Sequence, residues 1–336
     1  MHILAVTNMY PTPEDPTSGT FVEQQVMGLR RVGVTVEVML ARRLREGAGV
    51  YRRLGERVEE RVRQGGVDLV HVMYGGVMAD QVTRRLRGVP MVVSFCGSDL
   101  LGEPLNGALR KLIGGYGVLC SHRAARRAQG IVVKSRNLQQ ALPRSADRER
   151  SLILPNGIDL DRFQEMDRAA CRAKLGWCQD SFSVLFPTNA GDARKRLWLA
   201  QGAVDLLKAA GLPVELRQLK GVPHAEVPLW LNASDAVILT SQHEGSPNVV
   251  KEALACNVPV VSVDVGDVRE RLEGIEGCYL AEANPPDLAA KLRRVHGGPG
   301  RVLGRERVLE LSVERAAARL REHYDRILAR EAAHVG

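Results

Sequence analysis

The sequence predicts an α/β protein made of two doubly wound, Rossmann-like domains. Three observations predict it. Short apolar runs rich in β-formers alternate with helical stretches throughout the 336 residues, the pattern of parallel sheets covered by helices. The length exceeds that of one ordinary domain. A turn cluster, Leu154-Pro155-Asn156-Gly157-Ile158-Asp159, separates two such series near the middle of the chain.

Each element has its own signal. His2 to Val6 is an apolar strand. Val22, Val26 and Leu29 mark the apolar face of a helix that Gly33 stops, and Val34, Val36, Val38 and Leu40 alternate as the next strand. Val67 to Val72, Pro90 to Phe95 and Gly130 to Val133 are further buried runs. Beyond the turn cluster come Ser183 to Phe186, Val214 to Leu216, Ala236 to Thr240 and Val260 to Val263. Ser312 to Ala329 has helical composition and periodicity. The expected domains are therefore 1–155 and 160–311, with a terminal helix over 312–332.

Composition narrows the function classes. No segment reaches the roughly 18 apolar residues needed to cross a bilayer, and the N-terminus runs directly into a strand, which predicts a cytoplasmic protein. The six cysteines form no C-x-x-C pair, so neither a zinc site nor a disulfide scaffold is expected. The net charge of +8 is uneven: residues 1–155 hold 23 Lys+Arg against 14 Asp+Glu, and the remainder is near neutral. Arg42-Arg43, Arg45, Arg52-Arg53, Arg57, Arg61 and Arg63 form one dense group, and Arg110-Lys111 with Arg123, Arg126 and Arg127 another. An anionic lipid surface or a phosphorylated acceptor would suit such a half, placing the protein at the inner membrane face. A solvated, salt-bridged helix face is the other reading, because Glu56, Glu59 and Glu60 interrupt the first group. With 4% aromatic residues and no recognisable motif, nucleic acid is not an expected partner. Neither half carries G-x-G-x-x-G after its first strand, and no P-loop is present, which argues against a nicotinamide dehydrogenase and a P-loop ATPase.

The most specific segment is Glu244-Gly245-Ser246-Pro247-Asn248-Val249-Val250-Lys251-Glu252, with two carboxylates eight residues apart. It lies between the strands Ala236–Thr240 and Val260–Val263, so it reads as a loop and helix at the carboxyl end of a parallel strand, where ligands bind. A helix starting near Asn248 would aim amide N–H groups at a diphosphate. Glu252, one turn in, could accept hydrogen bonds from a ribose diol. Two solvated glutamates on a surface helix is the plainer alternative.

The stretch EGSPNVVKEALACNVPVVS resembles the Glu-x7-Glu signature of family-4 glycosyltransferases, which have the GT-B fold. MHILAVTNMYPTPEDPTSGTFVEQQVMGLRRVGVTVEV, DLVHVMYGG, VVSFCGSDLL, IVVKSRNL and LPNGIDLDRF resemble further stretches of that family in the same order. The resemblance implies two domains facing across a cleft, with the last helix returning to the first. It implies a retaining transferase in glycan biosynthesis, moving a sugar from a nucleotide diphosphate sugar to a hydroxyl acceptor (a glycan, lipid-linked or small-molecule). No metal or other cofactor is implied.

The site roles implied are these. Amides near Asn248 and Val249, with Lys195 and Arg194, would neutralise the departing diphosphate, and Glu252 would grip the ribose. Glu244 and the loop Gly245-Ser246-Pro247 would orient the sugar. Val222, in the loop Lys220-Gly221-Val222-Pro223, would lie beside the nucleobase. Gly19 and Thr20 would approach the donor phosphates and acceptor from the first domain, or form a plain capped turn. Cys96, Gly97 and Asp99 would face the acceptor, with Asp99 reading equally as a helix cap. Lys195 and Glu244 are the catalytic candidates, and no nucleophile is assigned. Two positions depart from the family: Asp192 occupies the expected arginine seat, and Cys96 stands where many relatives have a histidine, so that histidine's role is not carried over. His71 matches a family histidine but also reads as a structural residue at a strand end. His243 is a weaker candidate beside Glu244. Two rivals remain: a nucleotide-sugar 2-epimerase of the same fold, and a non-catalytic nucleotide-sugar-binding protein or partner subunit.

Overall fold

The computed structural model describes residues 1–15, 18–47, 49–102, 107–187 and 192–335, with the side chains of 43–44, 108–110 and 334–335 outside the description. The guanidinium groups of Arg43 and Arg110 in the two basic groups therefore fall outside it. The chain divides into two compact units, Met1–Gly157 with Val313–Gly336, and Ile158–Ser312.

The first unit runs β1 (His2–Thr7), α1 (Thr20–Arg31), β2 (Thr35–Leu40), α2 (Arg43–Glu46), α3 (Val50–Arg63), β3 (Leu69–Val72), α4 (Gly76–Arg85), β4 (Met91–Phe95), α5 (Ser98–Leu101), α6 (Ala108–Arg127), β5 (Gly130–Val133), α7 (Arg136–Gln140), α8 (Ser145–Glu149) and β6 (Ser151–Ile153). The second runs α9 (Arg168–Leu175), β7 (Phe182–Phe186), α10 (Leu197–Ala209), β8 (Val214–Gln218), α11 (Val227–Ala233), β9 (Ala236–Leu239), α12 (Asn248–Ala255), β10 (Val260–Val263), α13 (Val268–Leu272), β11 (Tyr279–Ala281) and α14 (Pro285–His296). The last helix, α15 (Val313–Val335), packs in the first unit: its Leu320, Tyr324 and Ile327 join the core of Ile3, Ala5, Leu69 and Val92.

Both sheets are parallel, in the orders β2-β1-β3-β4-β5-β6 and β11-β10-β9-β7-β8. Successive strand residues face opposite sides, so each sheet feeds two cores. In the second unit, Leu185, Val237 and Leu239 join one, and Val184, Phe186 and Ile238 join the other with α10 and α14. Burial on both faces is why these strands read as continuous apolar runs rather than as alternation. Sequence reading missed β6 and β11, which have three residues each and stand at sheet edges. In both orders the chain reverses direction beside the first strand, between β1 and β3 and between β7 and β9. Crevices at such switch points are where open α/β sheets bind ligands.

His71 belongs to the core rather than to a crevice. It is 1% exposed, with Nδ1 2.6 Å from the Tyr324 hydroxyl on α15 and Nε2 2.7 Å from Ser94 Oγ on β4. Burial pushes its pKa down to about 3, and burial pushes His323 down to about 4. Both lie below the ordinary value, so the unfolded chain binds protons on acidification that the folded chain does not. Stability is therefore full above about pH 6.5 and falls as pH drops towards these folded values, by about 1.4 kcal/mol per pH unit for each such proton. Unfolding free energies measured from pH 7 to pH 4 should show this slope, and His71→Gln should flatten it. An equal slope in the variant would assign the acid sensitivity elsewhere.

Candidate functional site

The site of the second unit forms at its switch point, from the chain after β7 and the chain after β9. After β7, a 3-10 turn over Ala193–Lys195 is capped by Asp192, whose carboxylate accepts from the Arg194 amide at 3.1 Å and pairs with the Arg194 guanidinium at 3.1 Å. Asp192 thus shapes the turn and draws Arg194 to itself. The backbone on either side of Lys195 is stitched to the end of β9. Thr240 Oγ1 donates to Lys195 O at 2.7 Å, and the Gln242 amide donates to Arg194 O at 2.9 Å. Arg196 sits in the left-handed region at φ 50° and donates from its guanidinium to Thr240 O (2.7 Å) and Ser241 O (3.1 Å).

These ties bring Lys195 Nζ to 2.5 Å from Glu244 Oε1, 49 residues away in sequence. Both side chains are more than four-fifths buried, at 18% and 14% exposure. Among the described residues, only one of the three donors of the Lys195 ammonium is spent, on Glu244 Oε1, and Oε2 of Glu244 accepts no hydrogen bond.

The loop bearing Glu244 is braced from β10. Ser246 Oγ donates to Asp267 Oδ2 at 2.9 Å, and Arg271 Nε donates to the same oxygen at 2.9 Å. Gly266, at φ 62°, lets its backbone approach so closely that an added Cβ would lie 2.7 Å from Gly245 O. Only glycine combines that dihedral with that contact. The loop then enters α12 through Pro247, which supplies no side-chain cap, so no side chain of the capping residue covers the amides of the first turn.

Glu252 lies one turn into α12 and is 8% exposed. Its Oε1 is 3.3 Å from His224 Nε2, while His224 Nδ1 is 3.2 Å from a guanidinium nitrogen of Arg162. Arginine can only donate, so in that hydrogen bond Nδ1 accepts, which leaves Nε2–H to point at Glu252. Phe163 packs against the same ring at an interplanar angle of 56°, with centroids 5.6 Å apart. His224 directly follows the loop Lys220–Pro223, in which Val222 is half-buried against the core of this unit.

The structure thus brings Lys195 to Glu244 and Glu252 to His224, with Gly245 to Val249 linking the two pairs along one loop and helix. His243 is half-buried beside Glu244. Sequence reading missed His224, Arg196, Thr240 and Asp267. A histidine next to the nucleobase loop was a usable signal for the first. The others act through folded-state contacts, Arg196 and Thr240 to backbone and Asp267 to the side chains of Ser246 and Arg271.

The first-unit residues hold separate positions. Gly19, at φ 65°, caps α1, and an added Cβ would lie 2.3 Å from the Met9 carbonyl carbon; Thr20 is the first residue of that helix. Asp99 is buried, and its carboxylate accepts from the amides of Gly75 (2.9 Å), Cys96 (3.0 Å) and Gly97 (2.8 Å). Burial raises its pKa and these amides oppose the rise. Its acceptor capacity is thus largely committed to joining the loops after β3 and β4. Cys96 is a free thiol that burial pushes up to about 12, so it is protonated at neutral pH and no thiolate nucleophile. A cavity of about 300 Å³ opens at the carboxyl ends of β1 and β2, lined in part by Asn8, Tyr10, Thr12, Ser18, Arg42 and Arg45.

Known proteins agree with this architecture. A family described as glycosyl transferases group 1 matches residues 190–297, and one described as glycosyl transferase 4-like domain matches residues 3–157. A putative teichuronic acid biosynthesis glycosyltransferase of Bacillus subtilis is 27% identical, with the alignment covering 80% of this chain and 82% of that protein. Among solved structures, sucrose-phosphate synthase from Thermosynechococcus elongatus superposes with a TM-score of 0.80 at 16% identity, over 98% of this chain and 100% of that one. The Anabaena protein HepE in complex with UDP and glucose superposes with a TM-score of 0.61 at 17% identity, over 100% and 99%. With its first half and the site-bearing part of its second both matched in this way, the chain belongs to the family-4 glycosyltransferases of the GT-B fold.

Proposed function

We propose that this glycosyltransferase takes a nucleotide diphosphate sugar as donor, transfers the sugar to a hydroxyl acceptor with retention of anomeric configuration, and binds the donor in its second unit. The observation that carries the reading is the Lys195–Glu244 ion pair at the β7/β9 switch point, set beside the start of α12 with Glu252 one turn further on. In this reading the α12 amides and the two spare donors of Lys195 meet the diphosphate, where negative charge grows as the glycosidic bond breaks. Glu244 keeps Lys195 in place and offers its second oxygen to a sugar hydroxyl. Glu252, oriented by His224, accepts from the ribose diol. Gly245, Ser246 and Pro247 lie along the sugar, Val222 beside the base, and Arg194 supports Lys195 from its pair with Asp192. The structure with UDP and glucose bound to HepE is a precedent for such a donor on this fold. On the first unit, Gly19, Thr20, Cys96 and Gly97 and the cavity beside Asn8 are the acceptor-side surface, and Asp99 holds that surface together.

Glu252→Ala tests the donor assignment. One or two charge-assisted hydrogen bonds are lost, each worth roughly 1.5–3 kcal/mol, so the dissociation constant for the matching nucleoside diphosphate should rise by at least about tenfold. Isothermal titration with UDP, GDP, ADP and CMP identifies the base and measures the change. Donor affinity and KM equal to wild type in Glu252→Ala would remove the ribose role. Product detected with the donor and an acceptor, but not with donor alone, separates transfer from 2-epimerisation.

A further inference from the structure

We infer that α6 is a docking face for an anionic lipid surface. Four large apolar side chains are exposed within eight residues of this helix: Leu112 at 72%, Ile113 at 61%, Tyr116 at 50% and Leu119 at 42%. An added Cβ at Gly115 or Gly117 would meet nothing within 4 Å among the described residues, so the helix surface at these two positions is open. A contiguous exposed apolar band of this kind marks an interaction surface rather than ordinary surface scatter.

The face has an order along its length. At 3.6 residues per turn, Leu112, Tyr116, Leu119, Arg123 and Arg126 fall within an arc of about 80°. The apolar members occupy the first half and the guanidinium groups the second. The opposite side, with Ser121, Ala124 and Ala125, is buried. Arg127 lies at the margin of the arc and is held by Asp80 at 2.6 Å.

Charge selects the occupant. Residues 104–146 contain eight Lys+Arg and no Asp or Glu. An apolar band that ends in arginines, within a long acid-free segment, matches a helix lying at a bilayer interface. Leucine and tyrosine would enter the boundary of the acyl chains while arginines meet phosphate headgroups. Among the described residues no helix is long and apolar enough to cross a membrane, so the contact is peripheral.

Vesicle co-sedimentation of the full chain tests this without any nucleotide sugar, so its outcome is independent of the donor-site reading. The probes are vesicles of phosphatidylcholine alone and of phosphatidylcholine mixed with phosphatidylglycerol. Wild type should bind the mixed vesicles far better than the neutral ones, and less at high salt. Arg123→Gln with Arg126→Gln should weaken that binding about 25-fold at low salt, at about fivefold per basic side chain. Leu112→Ser, Tyr116→Ser and Leu119→Ser together should weaken it by roughly tenfold or more at any salt. Leu112, Tyr116, Leu119 and Arg126 are exposed and Arg123 is half-buried, and circular dichroism of each variant checks the fold. No binding by wild type, equal binding to both vesicle types, or binding unchanged in both variants would overturn the inference. So would a concentration-dependent dimer that the triple serine variant abolishes, which would give the face to a second copy of the chain.

Discussion

Lys195→Ala should lower turnover by about 10²- to 10³-fold with a much smaller change in donor KM. The size follows from what the ammonium is proposed to do. Removing one preorganised donor aimed at charge that develops in the transition state costs about 2.7–4 kcal/mol. Charge on the diphosphate is already present in the ground state, so some binding is lost too, but the larger part grows only as the bond breaks. The substitution also strands Glu244, which is 14% exposed and loses its 2.5 Å partner. Steady-state kinetics with varied donor separates the two parameters. A raised donor KM with kcat intact would make Lys195 a binding residue only. Lys195→Arg should recover little, because the 3-10 turn and the Thr240 and Gln242 contacts fix the backbone for the reach of a lysine.

Asp235→Ala should destabilise the second unit by about 3–5 kcal/mol while leaving kcat per folded molecule near wild type. Asp235 stands before β9, at the amino end of the strands and away from the site. Its Oδ2 accepts from the Arg172 guanidinium at 2.5 Å and from the Ser183 amide at 2.6 Å, and its Oδ1 pairs with Arg168. Arg172 is 2% exposed and also donates to Ala233 O at 2.9 Å and Gln179 O at 2.5 Å. Removing the carboxylate leaves a buried guanidinium without its counter-charge, which is the costly way to break a buried pair. Urea or thermal unfolding reads the loss. Arg172→Met combined with Asp235→Leu should recover much of it, because replacing both partners leaves no stranded charge. A loss below about 1 kcal/mol in Asp235→Ala would show that water reaches the pair and screens it.

The relation between the candidate site and the sequence differs from residue to residue. Gly245 to Glu252 was legible because a loop and helix after a buried strand is a local pattern, and the strand, the proline at the helix entrance and the carboxylate one turn in all lie within a short segment. Gly19 could be read either as a close approach to a ligand or as a plain capped turn, and the structure puts it in a left-handed turn before α1, against the Met9 backbone. The Lys195–Glu244 contact was not legible, because it joins loops from two strands and depends on Arg196 in a left-handed conformation. His224 carries no local mark of its link to Glu252, which exists only because α12 and the chain before α11 converge. Asp99 could be read either as an acceptor contact or as a cap. Three backbone amides now commit it to holding two loops.

By itself, the sequence determined the α/β class, the paired parallel sheets and the family. Those follow from periodicity, apolar runs buried on both faces and one contiguous motif, all of which are properties of neighbouring residues. The tertiary structure decided which charged groups meet: Lys195 with Glu244, Glu252 with His224, Asp235 with Arg172, and His71 with Tyr324. It also decided that α6 keeps an apolar and basic face uncovered. Pairing and exposure depend on sheet order and helix placement, through contacts between residues that chain proximity does not bring together. Those contacts arise only once each sheet has closed its two cores.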